Sequence, residues 1–240
     1  MDEKPGLSKE NNLGFPNKYL TLHWRNNMIR LLLVRHGETK LNSLKCFQGQ
    51  SNPDLNAPGV EQANALAQFL ADVELHALYC SEQKRALQTA DRIISFHNNL
   101  SMIVEPRLRE INFGLWEGLT LEEIQIKYPT DWAAWQDDLQ SAPTGGETFL
   151  EVRKRTNELL DVIRSQHPDQ TVLIVAHAGV LEVLIYQALE ILPRMRGSVH
   201  LYTASLSELW LYEHGASLIH LNDLSALEHA GIPIESVYGR

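Results

Sequence analysis

The chain has 240 residues, 44% of them apolar and 21% charged, a balance that supports a large core and excludes wholesale disorder. Lys and Arg number 21 against 30 Asp and Glu, a net charge of −9. Nucleic acid and anionic membrane are excluded as partners, because both need basic patches.

Residues 1–27 are rich in Asn, Lys, Gly and Pro and show no sustained periodicity. They read as an N-terminal extension, weakly ordered or docked through Phe15, Tyr19, Leu20, Leu22 and Trp24, with Met28 a plausible second start. Ile29–Val34 is a continuous apolar run and predicts a buried parallel strand that ends at Arg35-His36-Gly37. Helical spacing of Val60, Ala63, Leu66, Ala67 and Leu70 predicts a helix over 58–70, with Asn56 as N-cap. A strand at 77–80, a helix at 82–95 and a strand at 102–105 follow. Short helices are expected at 121–128 and 131–136, split by Pro129, and a long amphipathic helix at 147–166. Val172–Ala176 repeats the apolar-strand pattern and ends at His177. A helix at 179–189 and a hairpin of strands 206–212 and 217–221 across His214-Gly215 complete the chain. Alternating strands and helices predict a three-layer α/β/α sandwich with a mostly parallel central sheet, one domain over 28–240.

Cys46 and Cys80 lack CxxC spacing and read as reduced thiols, which fits the cytoplasm. No apolar run reaches the roughly 18 residues of a membrane span. No apolar segment follows Lys4 and Lys9, so no secretory signal is visible.

Two apolar strands end in histidine, LLLVRHGET and VLIVAHAGV. In an open α/β sheet, ligands bind beyond the carboxyl ends of the strands, so neighbouring strands would bring His36 and His177 to one crevice. The planar fork of Arg35 suits phosphate oxygens. Gly37 would let backbone N–H groups approach an anion. Neither GxxxxGK[ST] nor GxGxxG is present. Metal ligation by the two histidines competes, but it needs further ligands at the site, and neither HxH nor HExxH occurs.

These motifs resemble the histidine phosphatase superfamily, the phosphoglycerate mutase-like proteins. RHGET at 35–39 is similar to the family signature, and the likeness runs from about Ile29 to Leu221. It continues in order through GQSNPDLNAPGVEQA at 49–63, SEQKRALQTA at 81–90, LREINFGLWEG at 108–118, GGETF at 145–149 and VAHAGV at 175–180. The resemblance implies that His36 is the nucleophile, neutral and with its other ring nitrogen donating to a fixed acceptor. It implies that Arg35, Arg85 and His177 form a cationic pocket. It implies that Glu110 is the acid/base. Asn42, Gln48, Gly49 and Thr39 match substrate-side positions. No metal or cofactor is implied. Where the family usually reads Ser-His-Gly-Gly, this chain has Ala176-His177-Ala178-Gly179. Ala176 removes a hydroxyl that could orient the imidazole, and Ala178 adds a methyl beside the pocket. Phe113 stands where mutases carry a hydroxylated aromatic.

Residues 115–147 are expected to form a lid. They hold seven acids, Glu117, Glu122, Glu123, Asp131, Asp137, Asp138 and Glu147, against Lys127 alone. A second anionic group on the substrate would meet repulsion there. Trp116, Trp132 and Trp135 favour an apolar or ring-bearing leaving group. The expectation is a metal-independent phosphomonoesterase acting through phosphohistidine on a small phosphorylated metabolite, as in the short broad-specificity and α-ribazole phosphatases. The alternatives are a cofactor-dependent phosphoglycerate mutase and a non-catalytic phospho-ligand module. The expected state is monomer or homodimer.

Overall fold

A computed structural model describes residues 27–192 and 197–234. The expected N-terminal extension therefore lies, but for Asn27, outside the described residues. Six strands form one sheet: β1 (Ile29–Arg35), β2 (Ala77–Cys80), β3 (Met102–Val104), β4 (Thr171–Ala176), β5 (Leu206–Leu211) and β6 (Ala216–Asp223), in the order β3-β2-β4-β1-β5-β6. Strands β1 to β4 run parallel, and β5 and β6 add an antiparallel hairpin beside β1. The mostly parallel sheet of the sequence reading is thus present.

Side chains alternate across a strand, so a continuous apolar run is buried only if both faces are covered. Leu31 and Leu33 of β1 pack on one face, with α6 (Phe149–Gln166) and α7 (Ala178–Ala188). Leu32 and Val34 pack on the other, with α2 (Ala57–Leu70), α3 (Lys84–Ile94) and α8 (Ser225–His229). This is the three-layer sandwich.

Local chemistry sets the helix ends. Asn56 accepts from the Gly59 N–H at the start of α2. Thr120 and Glu123 form a capping box on α4 (Leu121–Lys127), as do Thr148 and Glu151 on α6. The two short helices are split at Pro129, as expected, and Pro129 is itself the first residue of α5 (Pro129–Asp137), where its missing N–H costs nothing. Two short helices were not expected, α1 (Lys40–Ser43) and α8, because neither spans enough turns to show a period.

Candidate active site

Strands β1 and β4 are parallel neighbours with Arg35 opposite Ala176. The next residue of each, His36 and His177, therefore leaves the sheet at the same end, and their ring centroids lie 5.1 Å apart. His36 Nδ1 lies 2.6 Å from the Gly37 carbonyl. A carbonyl only accepts, so Nδ1 carries the proton and Nε2 keeps its lone pair. Burial, then the charges of Arg85 and Arg35, push the His36 pKa well below the ordinary histidine range.

Arg85 stands in the first turn of α3 and is fully buried. Its Nε lies 3.2 Å from His36 Nε2 and 3.1 Å from His177 Nδ1. Its two terminal nitrogens donate to the carbonyls of Ser51 and Gly49, at 2.7 and 2.9 Å. Burial lowers its pKa to about 10, against the attraction of Glu110, which leaves it charged at neutral pH. Because Arg85 only donates, His177 Nδ1 accepts, and the ring proton sits on Nε2, 2.8 Å from Ser81 Oγ. Burial and the charge of Arg85 hold the His177 pKa far down too. The expectation of a cationic His177 is corrected. The site's cations are Arg35 and Arg85, and both imidazoles are neutral.

Glu110 is placed by backbone. Its carboxylate accepts from the N–H groups of Ile111, Gly179 and Val180, at 2.9, 3.2 and 3.1 Å. Two of these donors open α7, where the helix dipole favours an anion. Gly179 is needed here, since a Cβ would come within 2.7 Å of the Glu110 carboxylate.

The RHG turn does not cradle an anion with its backbone, as expected. The N–H of His36 goes to the Ala176 carbonyl, that of Gly37 to Thr89 Oγ1, that of Glu38 to Gln62 and that of Thr39 to Asn42. Gly37 is required for packing, because a Cβ there would lie 2.4 Å from the Gly59 carbonyl. A phosphate would meet side chains instead.

Of the substrate-side candidates, Asn42 alone lines a cleft, beside Arg35. Its Oδ1 accepts from the Thr39 N–H and hydroxyl, which leaves its amide N–H groups for a ligand. Thr39 is buried as the N-cap of α1, and its hydroxyl shares its single proton between Asn42 Oδ1 and Gln48 Oε1. Gly49 adopts φ +52° and gives its carbonyl to Arg85. Thr39, Gln48 and Gly49 thus stand behind the site and hold Asn42 and Arg85.

Two clefts adjoin this centre at Gly179, whose N–H meets the Glu110 carboxylate. The first, about 310 Å³, is lined by Arg35, Asn42, Lys45, Ala178, His200 and Thr203 among others. The second, about 280 Å³, is walled by Phe47, Phe113, Trp132, Trp135 and Phe149. Gly179, Glu182 and Gly197 belong to both.

Comparison with known proteins settles the family. The profile of the histidine phosphatase superfamily (branch 1) matches residues 31–224. This chain belongs to that superfamily. It is 38% identical over 151 residues to phosphoserine phosphatase 1 of Hydrogenobacter thermophilus, covering 62% of this chain and 71% of that one. It is 33% identical over 205 residues to a metal-independent phosphoserine phosphatase of Arabidopsis thaliana, covering 82% and 85%. Among solved structures, the α-ribazole phosphatase of Shigella flexneri superposes with TM-score 0.73 at 32% identity, covering 81% of this chain and 96% of that one. The chain is a hydrolytic histidine phosphatase of the short, phosphoglycerate mutase-like type.

In this histidine phosphatase Ala176 offers the His177 ring no hydroxyl, but a residue beyond the neighbouring strand does. Ser81, after β2, meets the His177 ring instead. Ser81, Gln83 and Glu117 were not named as functional from the sequence. Gln83 binds the Gly49 and Ser51 carbonyls through Nε2 and the Glu110 N–H through Oε1. Ser81 and Gln83 lie in the SEQKR motif beside Arg85, and that position was the available signal.

Glu117 was counted among repelling lid acids. Its carboxylate turns inward and accepts from the N–H groups of Gln50, Ser51 and Phe113. Glu123 caps α4, Asp131 accepts from Thr144, and Glu147 pairs with Arg155. No acid of residues 115–147 lines either cleft. The expected acidic wall is therefore corrected, because hydrogen bonding and pairing take up Glu117, Glu123, Asp131 and Glu147. Trp116 is fully buried, whereas Trp132 and Trp135 do line the second cleft.

Proposed function

We propose that this phosphatase works by double displacement, with His36 as the nucleophile. The observation that carries this is the 2.6 Å contact from His36 Nδ1 to the Gly37 carbonyl, which leaves Nε2 as the free base. Nε2 faces the Arg85 N–H, so an entering phosphoryl group takes that donor's place between them. Arg35 and Arg85 then bear on the phosphoryl oxygens, supported by the Asn42 amide. The N–P bond forms as the ester P–O bond breaks, and the leaving oxygen takes its proton through Glu110. In the second step water attacks phosphorus, Glu110 takes the proton, and His36 departs with its lone pair restored. The arginines carry the charge stabilisation, so the reaction is metal-independent, as the name of the Arabidopsis relative states of that protein.

The substrate is a small phosphomonoester, in the class of the phosphoserine and α-ribazole phosphate named for the relatives. A mutase must also bind a bisphosphorylated primer, and among the described residues no basic side chain lines the second cleft. Residues 115–147 serve as the lid over one domain spanning 28–240. Two free thiols, Cys46 and Cys80, fit the cytoplasm, and among the described residues no helix is long and apolar enough to cross a membrane. The protein acts as monomer or homodimer, without nucleic acid or membrane partners.

The test is turnover of p-nitrophenyl phosphate with EDTA present, followed by acid-labile phosphoenzyme trapping. Full activity in EDTA and a phosphoenzyme absent from His36→Ala are expected. A labelled His36→Ala protein overturns the nucleophile. Absence of turnover from pH 5 to 8 overturns the phosphatase reading, and isomerisation of 3-phosphoglycerate primed by its bisphosphate restores the mutase.

A further inference from the structure

The two clefts are oppositely equipped. Arg35 and Lys45 line the first, and among the described residues no basic side chain lines the second. Glu182, on α7, lines both and is, among the described residues, the one acid in either wall. Its carboxylate accepts from the Tyr186 hydroxyl and the Gly197 N–H. Neither partner is a cation. Among the described residues only the His200 imidazole acts on its charge electrostatically, and burial raises its pKa.

A carboxylate in the wall of a site that takes a phosphate dianion is a liability unless the substrate answers it. Its repulsion grows as water is displaced, because the effective dielectric falls. The rings beyond it point to the same answer. Phe47, Phe113 and Trp135 pack edge to face in a continuous aromatic wall, with centroids 5.0 Å apart for the first pair and 6.2 Å for the second. Aromatic faces attract ammonium groups, and a carboxylate completes such a cage.

We propose that Glu182 is a specificity-determining residue and that the leaving group carries an ammonium, seated between Glu182 and the aromatic wall while its phosphate lies by Arg35. This rests on the phosphatase reading above, and it narrows that reading to phosphate esters of amino alcohols. A polyol could donate hydroxyls to Glu182 but would gain nothing from its charge. The cation is what the pairing of carboxylate and rings selects.

The test separates the two claims. Turnover of p-nitrophenyl phosphate reports on the phosphatase reading. Calorimetric binding of 2-aminoethylphosphonate against propylphosphonate, two non-hydrolysable ligands of similar size, reports on the cation. The amine is expected to bind about tenfold tighter at pH 7, and Glu182→Gln to bring the ratio to about one. Tyr186→Phe removes a donor to the carboxylate but keeps the charge, so the preference is expected to survive. Equal affinity in the wild type, failure of the amine to bind, or an unchanged ratio in Glu182→Gln overturns the proposal. So does loss of preference in Tyr186→Phe, which would give Glu182 a purely structural role.

Discussion

Ser81 Oγ lies 2.8 Å from His177 Nε2, joining the ends of two adjacent parallel strands, β2 and β4. This contact fixes which nitrogen of His177 faces Arg85. Ser81→Ala is expected to leave a buried N–H unpaired and lower stability by about 1–3 kcal/mol. Freed from its acceptor, the ring can reverse its tautomer, and kcat is expected to fall about tenfold, the equivalent of about 1.4 kcal/mol of lost positioning. Steady-state kinetics beside urea unfolding separate the two effects. Wild-type kcat in Ser81→Ala would remove the serine from the site.

Both buried imidazoles are held neutral, with pKa values below the ordinary 6.5. As pH falls through 6.5 the unfolded chain takes up two protons that the folded chain refuses. The stability this represents is fully present above pH 6.5 and is lost below it, by up to about 1.4 kcal/mol per pH unit per histidine. Urea midpoints between pH 7.5 and 5 should show this decline. His177→Asn, with one such imidazole left, should show about half the slope. A flat wild-type profile would mean that the imidazoles are not held neutral.

A methyl at Gly179 would come 2.7 Å from Glu110 Oε1 and 2.8 Å from Ile111 Cδ1. Gly179→Ala must displace the Glu110 carboxylate, the acid and base of the proposed mechanism. A shift on the order of 1 Å can cost about 100-fold in kcat. Stopped turnover with an unchanged circular dichroism spectrum is the expected pair of results. Retained kcat would separate the Glu110 position from catalysis.

Glu117 holds the N–H groups of Gln50 and Ser51, and thereby the loop whose Gly49 and Ser51 carbonyls grip Arg85. Glu117→Ala is expected to cost about 1.5–3 kcal/mol, the range for hydrogen bonds to a charged group. It should also raise KM for any phosphate ester, since Arg85 loses its anchors. Glu117→Gln, which keeps one acceptor oxygen, should fall between. An unaltered KM in Glu117→Ala would return Glu117 to the solvent-facing acids.

The strand runs at 29–34 and 172–176 were legible because burial on both faces demands unbroken apolar residues. Their terminal histidines were legible because ligands gather where parallel strands end. Family resemblance named His36, Arg85, Glu110 and His177, and the fold brings them together. What could not be read was where each polar group spends its hydrogen bonds. Glu117 and Glu123 stand six residues apart in the same segment, yet one turns inward to a loop and the other caps its own helix.

The sequence by itself determined the sheet, the family and the charged residues of the site. Periodicity and motif order are properties of the chain alone. Only the tertiary structure decided that both histidines are neutral, that Ser81 meets the His177 ring, and that Glu182 lies between a cationic and an aromatic cleft. Those facts depend on burial and on partners up to 96 residues away in the chain, as His177 is from Ser81. Distances of that kind exist only once the elements have packed.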